Sequence, residues 1–240
     1  MKTKDHFFKA VCTLAIPVAM QSMLQSSFSM VDQIMIGQLG EINVAGVGLA
    51  GKFASIYSVV ISAIGAVAGI MIAQYLGQKN RSEVRRSFFT NLLLGAGIAG
   101  MFMVICTLFP NQIMGAYTRD VQTRQAAAEY LMLISGTFVP MAGATLLSTL
   151  FRCLEKPRLP LYASILSALL NTGLNYILIF GKLGISPMGV RGAAFATVIS
   201  QCANFLLMLL MLSKNGFLLK SNEGEPTATL RMNWGQYWSM

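Results

Sequence analysis

Apolar positions along the chain fall into six long runs separated by short polar turns. The runs cover residues 10–36, 44–75, 88–109, 126–150, 159–180 and 189–212, and each supplies the roughly 20 residues that a helix needs to cross a bilayer. The pattern predicts an all-α membrane protein, a bundle of six transmembrane helices. The first run is not a signal peptide, because it far exceeds an h-region of about 7–15 residues and no small-residue cleavage site follows it. Pro17 lies inside the first run and Pro140 inside the fourth. Each frees a carbonyl, and either kinks its helix for packing or serves as a hinge.

Polar residues inside the runs are arranged in stripes. On a helix Gln21, Gln25, Phe28 and Asp32 share one face of the first run, with Ser22, Ser26, Ser29 and Gln33 beside them. An acid within a span costs about 2.5–3.5 kcal/mol on insertion scales, so Asp32 either faces a cavity where binding offsets that cost, or reaches headgroup water near the helix end. In the fifth run Ser164, Ser167, Asn171 and Asn175 share a face; in the sixth, Thr197, Ser200, Gln201 and Asn204 do. Such side chains either bond helix to helix or line a hydrated cavity. The second run repeats Ser58, Ser62, Gly65 and Gly69, a small-residue pattern that predicts close helix contact. Lys52 in that run lies at a depth similar to Asp32, where it either pairs with the acid or extends to the surface.

Composition agrees with the pattern: 55% of residues are hydrophobic, 11% are charged, and mean hydropathy is +0.60. A soluble domain would carry about 25% charged residues. The net charge of +9 does not imply nucleic acid, because the basic residues stand in short clusters between the runs. Lys2, Lys4, Lys9, Lys79, Arg81, Arg85, Arg86, Arg152, Lys156, Arg158, Lys214, Lys220 and Arg231 fall on one side of the bundle. Only Arg119, Arg124, Lys182 and Arg191 fall on the other, which predicts a cytoplasmic N-terminus by the positive-inside rule. Cys12, Cys106, Cys153 and Cys202 fit neither a zinc site nor a disulfide framework and read as buried thiols. His6 has no catalytic partner, and no nucleophile, metal-ligand or phosphate-loop constellation suggests an enzyme.

The order of these motifs resembles the multidrug and toxic compound extrusion (MATE) antiporters. The residues that carry the resemblance are Pro17, Gln21 and the run from Val31-Asp32 to Gly40, then Val44 to Ala50 and Ala73 to Gly77. They continue with Asn171 to Gly181 and Gly189 to Thr197, so that the likeness covers residues 8–213. The resemblance implies one lobe of a twelve-helix transporter in the cytoplasmic membrane. Such a transporter exports amphiphilic or cationic small molecules in exchange for H⁺ or Na⁺, without a cofactor. It places the cation-coupling acid at Asp32 and further cavity positions at Asn171, Asn175 and Thr197, a set of oxygen ligands suited to Na⁺. Asn175 stands where some members have Asp, which leaves one carboxylate in this polar site. Gln21, Gln25, Gln201 and Lys52 complete the candidate cavity.

The expected organisation is a lobe over residues 1–213, then a cytoplasmic interlobe loop and the start of a missing C-terminal lobe over 214–240. A chain of 240 residues reads as a truncated transporter rather than a natural half. Two alternatives stay open: a lipid-linked oligosaccharide flippase, for which Lys52 would have to supply a basic cavity, and a non-transporting membrane scaffold. The expected surroundings are lipid, with no nucleic acid partner.

Overall fold

Lipid offers no hydrogen-bonding partners, so a chain this apolar must satisfy its backbone within its own helices. The computed structural model describes the backbone of residues 2–214 and the side chains of residues 15–214, and the described structure is helical. The proposed interlobe segment over 215–240 lies outside the described residues, as do the side chains of His6 and Cys12.

In chain order the helices are α1 (Lys2–Gly37), α2 (Glu41–Gly77), α3 (Arg81–Leu108), the short α4 (Pro110–Gly115), α5 (Val121–Ile134), α6 (Phe138–Cys153), α7 (Arg158–Phe180) and α8 (Val190–Lys214). A 3-10 turn, Ser135–Thr137, joins α5 to α6. Among the described residues five stretches are long and apolar enough to cross a membrane: Glu41–Gly77, Arg81–Leu108, Val121–Cys153, Arg158–Phe180 and Val190–Lys214. Helix α1 is nearly as long as α2, but Gln21, Gln25, Asp32, Gln33 and its serines dilute its described part. It packs chiefly along α7, and with it the bundle has the six segments expected from the sequence.

Two turns show why the helices stop where they do. Asn80 caps α3 by accepting from the Glu83 N–H at 3.2 Å, an Asn-x-x-Glu start that places an acid in the first turn. Gly181 ends α7 in the left-handed conformation (φ 68°), and the next N–H, that of Lys182, donates to the Ile177 carbonyl. A side chain at Gly181 would strike the Pro187 ring, so the α7–α8 connection is closed by sterics as well as by conformation.

The fourth span differs from expectation. Its helix does not merely kink at Pro140; it breaks three residues earlier, at Ser135–Thr137. There the Ser135 and Thr137 hydroxyls donate to the Met132 and Ile134 carbonyls, both at 2.7 Å, and tighten the turn. Pro140 then falls in the first turn of α6, where a missing N–H costs nothing. Tyr57 of α2 seals the break by donating to the Phe138 carbonyl at 2.6 Å, with its ring stacked on Phe138.

Apolar packing forms two clusters. One, at the end that carries the α1–α2 turn, centres on Tyr57, Phe138, Leu131 and Ile179; the other, at the α2–α3 end, centres on Phe88, Leu147, Leu150, Phe151 and Met208. The small-residue pattern of α2 is partly realised. A side-chain carbon at Gly65 would lie 3.3 Å from Thr145, and one at Gly69 would lie 3.0 Å from Thr149, so this face presses on α6. Ser62 on the same repeat is exposed. The cysteine expectation also needs correction: Cys106 is buried, but Cys153, whose thiol donates to the Gly69 carbonyl at 3.5 Å, and Cys202 are only half-buried.

Candidate functional site

Helices α1 and α7 run side by side in the same direction, and this alignment builds the site. Asn175 of α7 donates through Nδ2 to Asp32 Oδ1 of α1. Eleven residues earlier on both helices, Gln21 Nε2 donates to Ser164 Oγ at 2.9 Å. The two pairs therefore mark two polar layers, about 16 Å apart along α1 at 1.5 Å per residue.

The layer at Asp32 draws in α8. Asn171 lies one turn from Asn175 on α7 and completes the contact with the acid. With its nitrogen turned to the carboxylate, Asn171 donates to Oδ1 at 2.9 Å and Oδ2 at 3.2 Å, while its oxygen accepts from Ser200 Oγ at 3.3 Å. With the amide turned over, its oxygen instead accepts from Asn175 Nδ2 at 3.2 Å, and its nitrogen reaches Thr197 Oγ1 at 3.4 Å. The Thr197 hydroxyl donates to the Ala193 carbonyl at 2.9 Å, and Ser167 of α7 donates to the Ser200 carbonyl at 2.7 Å. These bonds lock α7 to α8 beside the acid. Close packing supports them: a side chain at Gly192 would lie 2.7 Å from the Leu178 carbonyl.

Asp32 itself is half-buried, and no lysine or arginine pairs with it among the described residues. Asn175 is buried, and its Oδ1 has no hydrogen-bond donor among them. An unpaired buried acceptor beside a lone carboxylate is an arrangement that a proton or a small cation would complete. The surrounding donors are hard oxygens, suited to an alkali cation and not to a soft metal.

The sequence candidates thus separate. Asp32, Asn171, Asn175 and Thr197 come together. Gln21 is buried in the other layer, where Arg152 of α6 donates to its Oε1 at 3.5 Å. Gln25 is exposed, and Gln201 is half-buried without a side-chain hydrogen bond among the described residues. Lys52 is exposed and forms no ion pair among them, so of its two readings the pairing with Asp32 is not realised. Sequence reasoning missed Tyr130, which α5 buries within electrostatic reach of Asp32. It also missed Glu129, which pairs with Arg191 and ties α5 to the start of α8. Both lie at the end of an apolar run, and a polar residue next to a run boundary reads as interfacial.

The family model for MatE matches residues 17–177. A probable multidrug resistance protein NorM of Thermotoga maritima is 31% identical over 201 residues, which is 80% of this chain and 42% of the relative. A probable multidrug resistance protein YoeA of Bacillus subtilis is 26% identical over 216 residues, 89% of this chain and 46% of the relative. Among solved structures, the eukaryotic MATE transporter AtDTX14 superposes with a TM-score of 0.82 at 20% identity, covering 97% of this chain and 51% of that one. The outward-facing conformation of a multidrug resistance MATE family transporter of the MOP superfamily gives 0.80 at 20% identity, covering 92% and 49%. The chain spans about half the length of the relatives it matches. The fold is that of one transporter lobe, the match runs from α1 into α7, and the chain belongs to the MatE family, the multidrug and toxic compound extrusion transporters.

Proposed function

We propose that this lobe is half of a cation-coupled antiporter that exports amphiphilic or cationic compounds across the cytoplasmic membrane, with its N-terminus on the cytoplasmic side. The second half of the transporter is its partner. The observation that carries the reading is Asp32, the one acid among the α1 residues whose side chains are described, faced by two amides from α7 and, among the described residues, by no basic group. A carboxylate in that setting gains most from binding a cation, because no protein charge offsets its own.

The chemistry of the Asn171 amide, with a donor and an acceptor at one end, gives the binding step a physical form. A carboxylate needs donors, and the amide nitrogen supplies one. A protonated carboxyl needs an acceptor, and a turn of the same amide would supply its oxygen. Loading a proton at Asp32 therefore changes which atoms of α7 and α8 it holds. For Na⁺, the Asp32 carboxylate, the carbonyl oxygens of Asn171 and Asn175 and the Thr197 hydroxyl are the available ligands. Exchange follows if the cation and the exported compound favour different arrangements of α1.

Replacing Asp32→Asn in the whole transporter tests this. Substrate accumulation in inverted vesicles driven by a proton or sodium gradient should fall to background, with the protein still inserted and folded. Gradient-driven efflux retained in that variant would remove Asp32 as the coupling residue.

A further inference from the structure

The layer at Gln21 is not used by the proposed coupling step, yet it joins three helices. Gln21 of α1 is buried, and both ends of its amide are engaged with the matching polarity. Its nitrogen donates to Ser164 of α7, and its oxygen accepts from Arg152 of α6. Arg152 lies in the last turn of α6, one residue from the end of that helix; its side chain stays exposed at the edge of the bundle, and one guanidinium nitrogen meets the Gln21 oxygen at 3.5 Å. Its charge is permanent, and it suits a helix C-terminus. Ser148, one turn away on the same face of α6, is buried with its hydroxyl unpaired among the described residues.

The position of the layer matters as much as its chemistry. It lies on the cytoplasmic side of Asp32 in the orientation proposed above, where α1 enters the bundle. A path from the cytoplasm to the acid along the α1–α7 seam must pass it.

We propose that Arg152, Gln21 and Ser164 form a latch on the cytoplasmic side of the lobe, which holds α1 against α6 and α7 while Asn171 and Asn175 engage Asp32. The latch is neutral at its centre and cationic at its rim. It opens when α1 withdraws Gln21 from both partners. Withdrawing Gln21 from one partner leaves that end of a buried amide unsatisfied and carries the same side chain away from the other partner, so the two bonds are made and lost together. The latch rests on the reading that the lobe alternates between two exposures during transport, but it does not depend on which cation drives it.

Ala168 gives a reporter, because it stands on α7 between Ser164 and Asn171 and is half-buried. The whole transporter, with Cys12, Cys106, Cys153 and Cys202 replaced by serine and Ala168→Cys introduced, is labelled with a membrane-impermeant maleimide in vesicles of each orientation. Labelling from the cytoplasmic face should be slow. Gln21→Leu should speed it about tenfold or more, as expected for the loss of a hydrogen bond to a charged group. Arg152→Ala should do the same, Arg152→Lys should recover most of the slow rate, and the double variant should be no faster than either single one. Ser22→Ala, an exposed neighbour whose hydroxyl bonds only within α1, should leave the rate unchanged. Unchanged rates in the Gln21 and Arg152 variants would overturn the latch. So would effects that multiply in the double variant, or equal acceleration from both faces, which would signal general loosening. The coupling reading stands or falls separately, on efflux by Asp32→Asn.

Discussion

The layers at Asp32 and at Gln21 sit on the same two helices, eleven residues apart, and each joins α1 to α7 through side-chain hydrogen bonds, from the two amides Asn171 and Asn175 at Asp32 and to Ser164 alone at Gln21. They differ in where the charge lies. At Asp32 the charge is on α1 and its partners are neutral amides; at Gln21 the α1 group is neutral and the charge belongs to Arg152 on α6. A carboxylate can lose its charge to a proton, but a guanidinium cannot. One layer can therefore respond to ion binding, while the other can only be made or broken by movement. Similar polar stripes in a sequence can thus place a titratable charge in one layer and a permanent one in another.

The largest effect expected to break this comparison is loss of gradient-driven efflux in Asp32→Asn, set against retained ion dependence in Gln21→Leu with altered cytoplasmic access. If both variants lost coupling equally, the two layers would be one functional unit. A smaller effect follows from Gly192, whose added carbon would press on the backbone of α7 near the Asp32 layer. Gly192→Ala should destabilise the protein by about 1–3 kcal/mol, read as a lower unfolding temperature in detergent. It should also disturb ion-dependent efflux while leaving maleimide access at Ala168→Cys near its starting rate. Smaller still is Glu129→Gln, which removes an exposed pair with Arg191 and should change stability by less than about 1 kcal/mol.

The smallest effect concerns acid. Asp120 caps α5 outside the spans, and hydrogen bonds from Thr123 hold its carboxyl below the usual carboxylate range. A depressed pKa means that the folded state binds the proton less readily than the unfolded chain. Its contribution is present above the ordinary carboxylate pKa of about 4 and is lost as pH falls through the lower folded value. The pH dependence of stability between pH 5 and 8 should therefore be the same in Asp120→Asn as in the parent protein, with the loss of the cap showing only as a constant offset across that window. A change of efflux with pH in that window would then be assignable to the transport site.

Much of this was legible in the sequence. Helical periodicity placed Asp32, Asn171, Asn175 and Thr197 on faces that meet in the structure, and hydropathy located all six segments to within a few residues at most ends. What periodicity does not supply is the neighbour opposite each face. Gln21 and Gln25 share a stripe, yet Gln21 is buried against α6 and α7 and Gln25 is exposed. Arg152 read as a topology signal, because a basic residue at a helix end satisfies the positive-inside rule whether it points to water or inward. The break at Ser135–Thr137 was hidden for a related reason: hydroxyls that stabilise a tight turn occur just as readily inside a straight membrane helix.

The equal spacing of the two contacts along α1 and α7 restricts how these helices can move. A slide or a turn of α1 by a single residue would unseat both contacts at once, so screw-like motion meets double resistance. A tilt meets only half of it, because either contact can remain as the fulcrum while the other opens. Pinned at two heights, α1 is a rocker whose free end is chosen by whichever contact is released first.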